Sequence, residues 1–521
     1  MGSLVQARLI FLLGLICSSY SFADSHKTPL AQERVDYSSV MNQMSIPDMR
    51  QGILRIWRHG LNPKAYWTDK MESVYNSGSS ADRNLRPLVN QAFLRLLRDL
   101  HIGNVNPQDV GRDVKFIRKD FLTPKQLQAV FLAVGGNALM LLDKVAPQNA
   151  PYLAAREGML KIYPTCIDGS WEEIVPATVP LRLYSRDKVI PAIKKRLSLL
   201  GYKMQVMDDR FDGDLQSAVS DIQWNLRIKP DGAISPKGKI WNFLSVPCLD
   251  RVRQIQSDME KMRWFPQYFD KKYIFVNLAM SYFMLIDQTY DWERVMSFRT
   301  INGRVARKSP TMQDEIVKVI VNPFWVVPPT IFSEDKVNDL KNLTKAQVAE
   351  YFTSHNYEVW SGDFRRRIDP TSVDWLGISE GRVAPDINIR QLPHLGNALG
   401  VLKFDLTNSF AIYLHDTNQR ELFDEPMRQL SSGCIRLEKP LDLAEYLLED
   451  TPWDRKTIES LMARPGEVLT KSTELPVPKH KVIPVYTAYL TSMVSSDGVV
   501  RFVDDLYGQN AAIERRLDGR F

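Results

Sequence analysis

Cysteine is scarce in this sequence: four residues in a chain of 521, too few for a disulfide-stapled scaffold. Beyond the first residues, no segment is long and apolar enough to cross a membrane, which takes roughly 20 apolar residues. From about residue 35 to 149 no His, Cys and Asp residues cluster at metal-ligand spacing, and no glycine-rich loop is built to cradle phosphate. Excess charge is small as well. A formal +6 can favour an anionic surface, but it is not the footprint of a nucleic-acid binder. Internal repeats and low-complexity tracts are also missing. What is present is globular: 44% apolar and 25% charged residues, in a chain long enough for three or four domains of about 100–200 residues each.

The N-terminus has its own pattern. Arg8 precedes the apolar run Leu9-Ile10-Phe11-Leu12-Leu13-Gly14-Leu15-Ile16-Cys17, and small and polar residues follow up to Ser21-Phe22-Ala23. A charge, a short apolar stretch and an Ala-x-Ala-like site predict a secretory signal over residues 1–23, cleaved after Ala23. The expected mature chain has no transmembrane segment and lies outside the cytoplasm. Cleavage removes Cys17 and leaves Cys166, Cys248 and Cys434. An odd count in an oxidising compartment means a free thiol or an intermolecular pair. Cys166 and Cys248 can pair with each other, but the sequence alone does not choose that arrangement.

The fold class read from the pattern is α+β and multidomain. Residues 24–184 form a helical scaffold, with apolar positions such as Leu88, Phe93, Leu96 and Leu97, then Leu127, Val130, Phe131 and Val134, spaced mostly three or four apart. Pro147 and Pro151 break that run. Residues 185–247 form a bundle of three short helices. Val189, Ile193 and Leu197 share a face of the first, which Gly201 closes with a left-handed cap. Leu215, Ala218, Val219 and Ile222 lie on the second, and Ile240 and Leu244 on the third. From about residue 255 to 521 the chain turns β-rich, with β-branched and aromatic runs at 273–278, 316–321, 410–414 and 485–490. A mixed insert at about 330–395, with a helix near Lys345–Ser354, is too long for a plain loop and reads as a cap.

The chemistry concentrates between Tyr413 and Leu437. A strand over 411–417 carries His415 near its end, and Ser432-Gly433-Cys434-Ile435-Arg436 follows on a short strand or turn that feeds a helix from Pro440. A thiol of pKa about 8.5 is mostly protonated at neutral pH, so a nearby His is needed to take its proton and return it to a leaving amine. Gly433 lets the backbone approach a substrate carbonyl, and the N–H groups of Gly433 and Cys434 are candidate oxyanion donors. Tyr413, two residues before His415, falls on the same strand face. Arg436 can grip a carboxylate, and Ser432 borders the substrate. Trp325 either shapes the site or serves the core, as does Asn322. His394 and the Arg365-Arg366-Arg367 run are weaker candidates, the latter being typical of a solvated face. Asp416 is a poor orienter of His415, since adjacent strand residues face opposite ways.

The segment His415-Asp416-Thr417, a gap, then Ser432-Gly433-Cys434-Ile435-Arg436 resembles the signature of L,D-transpeptidase catalytic (YkuD-type) domains. Asp416 stands where the usual form has glycine, and Ser432 where it has histidine. Both departures resemble the long, multidomain Gram-negative subfamily, as do Met262-Arg263-Trp264, the stretch 321–329 and Gly396-Asn397-Ala398-Leu399-Gly400. In the small bundle, the order Ile193 to Gly201, Phe211-Asp212, Ala218-Val219, Ile222-Gln223 and Asp231-Gly232 resembles the peptidoglycan-binding domain type 1. The resemblance implies a β-rich catalytic sandwich with the insert as its cap. It also implies a periplasmic enzyme of cell-wall biogenesis and cell shape, with Cys434 as nucleophile, His415 as base, Gly433 at the oxyanion, and Tyr413, Ser432, Arg436 and Trp325 near substrate. Cys434 would attack the amide between meso-diaminopimelate and D-Ala of a stem peptide and pass the acyl group to a second stem, giving a 3→3 cross-link. Carbapenems would acylate the same sulfur. The implied partners are stem peptides, glycan strands and cell-wall synthesis proteins, and the resemblance implies that no metal or organic cofactor is needed. A second reading uses the same residues, a cysteine L,D-carboxypeptidase or endopeptidase on stem peptides, and a third is a non-catalytic wall-binding scaffold in which the bundle and the helical region do the job.

Overall fold

The computed structural model describes residues 36–77, 82–289, 293–517 and 521; the signal-peptide expectation lies outside them. Three regions follow one another, and the fold is mixed helix and sheet as read from the sequence. Residues 38–167 are built of helices and the turns between them. The longest helix, Asp82–Ile102, turns Leu85, Val89, Phe93, Leu96, Leu97 and Leu100 into the core. Leu88 is exposed, contrary to expectation, because it falls outside the 3.6-residue stripe that these define. Pro151 also differs from its reading as a breaker. It occupies the first turn of Ala150–Ile167, where the missing N–H costs nothing, and Asn149 caps that helix from below.

The small bundle consists of helices Ile190–Leu200, Gly213–Asn225 and Lys239–Leu244. Its apolar faces are the ones the periodicity indicates: Ile193, Leu197, Leu215, Ala218, Val219, Ile222, Ile240 and Leu244 are all buried. A disulfide between Cys166 and Cys248, with Cα atoms 5.4 Å apart, closes a span of 82 residues that contains the bundle. From Cys248 the helix Cys248–Met262 runs into the β-rich region as a strut. The charged side chains at its C-terminal end are buried and paired. Lys261 meets Asp258 at 2.9 Å and the Tyr489 carbonyl at 2.7 Å, while Arg263 meets Glu260 at 2.7 Å. Glu260 also accepts from the Val105 N–H at 2.7 Å, so one helix ties the N-terminal region to the sheet.

The β-rich region begins with β1 (Lys272–Asn277), β2 (Tyr282–Asp287), β3 (Arg294–Gly303) and β4 (Met312–Val321). The cap follows, with strands β5 (Trp325–Val326), β6 (Tyr357–Ser361), β7 (Arg367–Ile368) and β8 (Ile387–Gln391). It has its own core, centred on Phe332, Leu340, Phe352, Trp375 and Ile389. The chain then returns to the main sheet through β9 (Leu402–Leu406), β10 (Leu414–His415), β11 (Gln429–Ser431), β12 (Ile435–Leu437), β13 (Thr473–Pro476) and β14 (Ile483–Ala488). The order is β11-β3-β12-β10-β9-β4-β14-β1-β2. Because β3 pairs with β2 through Arg294–Arg299 and with β12 through Thr300 and Ile301, the pairings close into a ring around the core. Among the described residues no single helix is long and apolar enough to cross a membrane.

The disulfide generates a prediction. Closing a loop of this length removes chain entropy worth about 4 kcal/mol from the unfolded state. A Cys166→Ser/Cys248→Ser variant is expected to unfold at lower denaturant than wild type while Cys434 keeps its alkylation rate. An unchanged midpoint would show that the bridge does not constrain the bundle.

Candidate active site

The parallel pairing of β10 with β12 brings together two segments about twenty residues apart in sequence. Leu414 lies opposite Ile435 and His415 opposite Arg436, and the Ile435 N–H donates to the Tyr413 carbonyl at 3.2 Å. Strand alternation then sends Tyr413 and His415, and likewise Cys434 and Arg436, to a common face. All four line one cavity of about 560 Å³, together with Ser432, Gly433 and Trp325. The cap supplies the facing wall through Trp325, Ile331, Asp335 and Lys336.

Residues 410–413 do not extend the strand as expected. Asn408 accepts from the N–H groups of Phe410 and Ile412 at 2.9 and 3.2 Å and donates to the Ile412 carbonyl at 2.9 Å. Ala411 adopts a left-handed φ of 56°. An asparagine offering its own hydrogen bonds outcompetes the ladder, so the strand shrinks to two residues and leaves an exposed Phe410 at the cavity edge.

Cys434 follows a turn that Gly433 makes possible, with φ at 123°, a region that side chains disfavour. Ser431 Oγ spans the turn, accepting from the Gly433 N–H at 3.2 Å and donating to the Cys434 carbonyl at 2.5 Å. The expected pair of oxyanion donors is therefore not presented as such, because the Gly433 N–H is turned toward Ser431. Beneath the turn, the Gly433 carbonyl accepts from Ser309 Oγ at 2.6 Å.

Electrostatics leave both reactive groups uncharged. Burial, with the Arg436 charge adding to it, pulls the His415 imidazole down to about 3. Its Nδ1 is buried without a hydrogen-bond partner, while the carbonyls of Asp416 and Leu399 lie against the ring. Burial pushes the Cys434 thiol up, against the opposing influence of the Tyr413 N–H and hydroxyl, which are directed at the sulfur. Arg436 donates to Gln419 Oε1 at 3.0 Å and keeps a buried Nε unpartnered. Asp416 does not orient His415: its carboxylate binds Arg420 at 2.6 Å and the Val401 N–H at 3.1 Å.

The remaining candidates lie elsewhere. Asn322 is a structural tether, bonded to the Leu461 carbonyl and the Ala463 N–H at 2.6 and 2.9 Å. His394 turns onto the Leu392 carbonyl at 2.8 Å, outside the cavity. Arg365, Arg366 and Arg367 are exposed on the β6–β7 turn. Residues that sequence reasoning missed come from the β3–β4 connection. Arg307 donates to Asp335 in bidentate fashion at 2.8 Å, to Glu334 at 2.5 Å and to Ser432 Oγ at 3.1 Å, joining the cap to the cysteine turn. Its signal was a connection between two strands that reads Arg304-Val305-Ala306-Arg307-Lys308, rich in basic residues.

With the thiol raised and the imidazole neutral, Cys434, the one free thiol among the described residues, should behave as an ordinary or weak nucleophile in the resting protein. The thiolate exists only above the raised pKa, and His415 changes charge only near 3. Alkylation by iodoacetamide should therefore climb about tenfold per pH unit between about pH 6 and 9. A rate that is already at its plateau at the acid end of that range would show a resting thiolate–imidazolium pair and contradict this electrostatic picture.

Comparison with known proteins agrees with the geometry. Residues 271–455 match the family described as "L,D-transpeptidase catalytic domain" (YkuD), residues 41–159 a "Scaffold domain", and residues 186–237 a "Putative peptidoglycan binding domain". A Haemophilus influenzae protein named "Putative L,D-transpeptidase" is 31% identical over 263 residues, which is 50% of this chain and 49% of that protein. The chain thus spans about half the length of this curated relative. Among solved structures, L,D-transpeptidases from Xylanimonas cellulosilytica and Stackebrandtia nassauensis are each 13% identical and cover 60% of this chain. They match over 100% and 97% of their own lengths, with TM-scores of 0.18 and 0.22, too distant to bear on the site. On its sequence matches, this chain carries a YkuD-type L,D-transpeptidase catalytic domain joined to a peptidoglycan-binding domain.

Proposed function

We propose that the protein is a cysteine L,D-transpeptidase that forms 3→3 cross-links between diaminopimelate residues of peptidoglycan stems. The observation that carries this reading is the single cavity that Cys434, His415 and Tyr413 line together, with His415 neutral and its Nδ1 without a hydrogen-bond partner. A neutral imidazole in one cavity with a neutral thiol is a base waiting for the substrate, and catalytic contacts that are long in the apo protein tighten when the substrate binds.

In the proposed cycle, Cys434 Sγ attacks the carbonyl of the diaminopimelate–D-Ala amide while His415 takes the thiol proton. The Cys434 N–H and the Tyr413 hydroxyl face the developing oxyanion. Collapse of the tetrahedral intermediate breaks the C–N bond, and the imidazolium returns its proton to the departing D-Ala amine, leaving a thioester. The side-chain amine of a second stem then attacks the thioester, gives its proton to His415, and expels the thiolate, which His415 reprotonates. Arg436, with its free Nε, suits a stem carboxylate, and Trp325 with Ser432 borders the bound chain. The cap keeps water from the thioester, and this separates transfer from hydrolysis. Carbapenems would acylate the same sulfur.

Peptidoglycan-acting domains imply a periplasmic or cell-wall location, and export through a cleaved 1–23 segment is part of the proposal. So are domain limits near 24–184, 185–247 and 255–521, with contacts to glycan strands and to cell-wall synthesis proteins.

Product analysis tests the reaction. On disaccharide tetrapeptides, the wild type is expected to release D-Ala and give cross-linked dimers, and Cys434→Ala to give neither. Shortened monomers without dimers would mean a hydrolase. Binding to sacculi with no chemistry in either protein would mean a wall-binding scaffold.

A further inference from the structure

A second cavity, of about 480 Å³, adjoins the first. The two share Lys308, Phe410 and Ile412 as a common wall. Unlike the first, the second includes no cap residue; its far side is the 111–115 segment of the N-terminal helical region. That segment is fixed to the sheet. Val114 bridges Thr311 in parallel, the Thr311 N–H donates to the Asp113 carbonyl at 2.7 Å, and the Lys115 N–H donates to the Thr311 carbonyl at 2.9 Å.

The charges here are unequal. Three cations, Arg112, Lys115 and Lys308, face one carboxylate, Asp113. Asp113 is already engaged by Gln509 at 2.7 Å and by Lys308 at 3.7 Å. Arg112 and Lys115 are exposed and have no carboxylate partner among the described residues, and Lys115 sits over the Phe410 ring at 4.7 Å from its centroid. A guanidinium and an ammonium held unpaired at a cavity mouth, with an aromatic face between them and the reactive cysteine, suit a carboxylate-bearing peptide.

We infer that this cavity is a subsite for the acceptor stem, and that Arg112 and Lys115 bind its carboxylates. The inference rests on the transpeptidase reading and adds the acceptor's place to it. The donor lies under the cap against Cys434. The acceptor must arrive after the thioester forms, without lifting the cap, and the side walled by the 111–115 segment is uncapped. The helical region thereby gains a task beyond support, as half of the acceptor's binding surface.

The test uses the full-length protein with Arg112→Ala/Lys115→Ala. Acylation of Cys434 by a carbapenem, followed by intact mass, reports folding and the first half-reaction and should match wild type. Dimer formation should fall about tenfold through a higher acceptor KM, which corresponds to about 1.4 kcal/mol of acceptor binding. Thioester hydrolysis should rise in its place. Arg112→Lys/Lys115→Arg should restore dimers. With an acceptor stem whose carboxylates are amidated, wild type should drop to the level of the alanine variant, and the variant should not drop further. Dimer formation equal to wild type in the alanine variant would overturn the inference and leave the transpeptidase reading standing. A wild type that makes no dimers at all would remove both.

Discussion

The hydrogen bond from Ser309 Oγ to the Gly433 carbonyl supports the whole active-site arrangement. It is fully buried, and the same hydroxyl accepts from the Gly303 N–H at 2.8 Å. A buried hydroxyl satisfied in both directions is worth far more than its net energy in water suggests, because losing either partner strands a polar group. Gly303 must be glycine for a related reason: a Cβ there would lie 2.3 Å from the Arg307 carbonyl. The β3–β4 connection therefore positions Ser309 under the cysteine turn. Tyr507 braces this connection, its hydroxyl accepting from the Ser309 N–H at 3.2 Å.

From that segment three links radiate. Arg307 reaches the cap and Ser432, Lys308 separates the two cavities, and Thr311 receives the 113–115 segment of the helical region. On the proposed function, a cap, the Cys434 turn and an N-terminal wall that meet at one element hold two substrates in fixed relation. Catalysis by positioning requires that relation more than any single strong group. The chemistry of the pair agrees: both reactive groups rest neutral, so no buried charge must be sustained until the substrate supplies the place where charge develops.

Much of this was legible in the sequence, for identifiable reasons. The three helices of the small bundle were readable because each buries one periodic stripe and the first ends at the left-handed Gly201, so local pattern and tertiary packing agree. The Cys434 and His415 segments were expected to meet, and the β10–β12 pairing brings them to one cavity. The β3–β4 connection was not legible, since the value of Ser309 comes from a partner 124 positions away and leaves no periodic trace. The 410–413 segment misled because apolar, β-branched residues look like a strand, while Asn408 redirects the backbone by local hydrogen bonds. Leu88 misled for the opposite reason: it is apolar near a periodic stripe but off its axis.

The central claim is that Cys434 carries the acyl group. Its most direct test is the intact mass of the protein after incubation with a tetrapeptide donor and no acceptor. The account predicts a wild-type adduct equal to the donor minus D-Ala, located on Cys434, and none on Cys434→Ser. Release of D-Ala by Cys434→Ser at the wild-type rate, with no adduct on either protein, would contradict it.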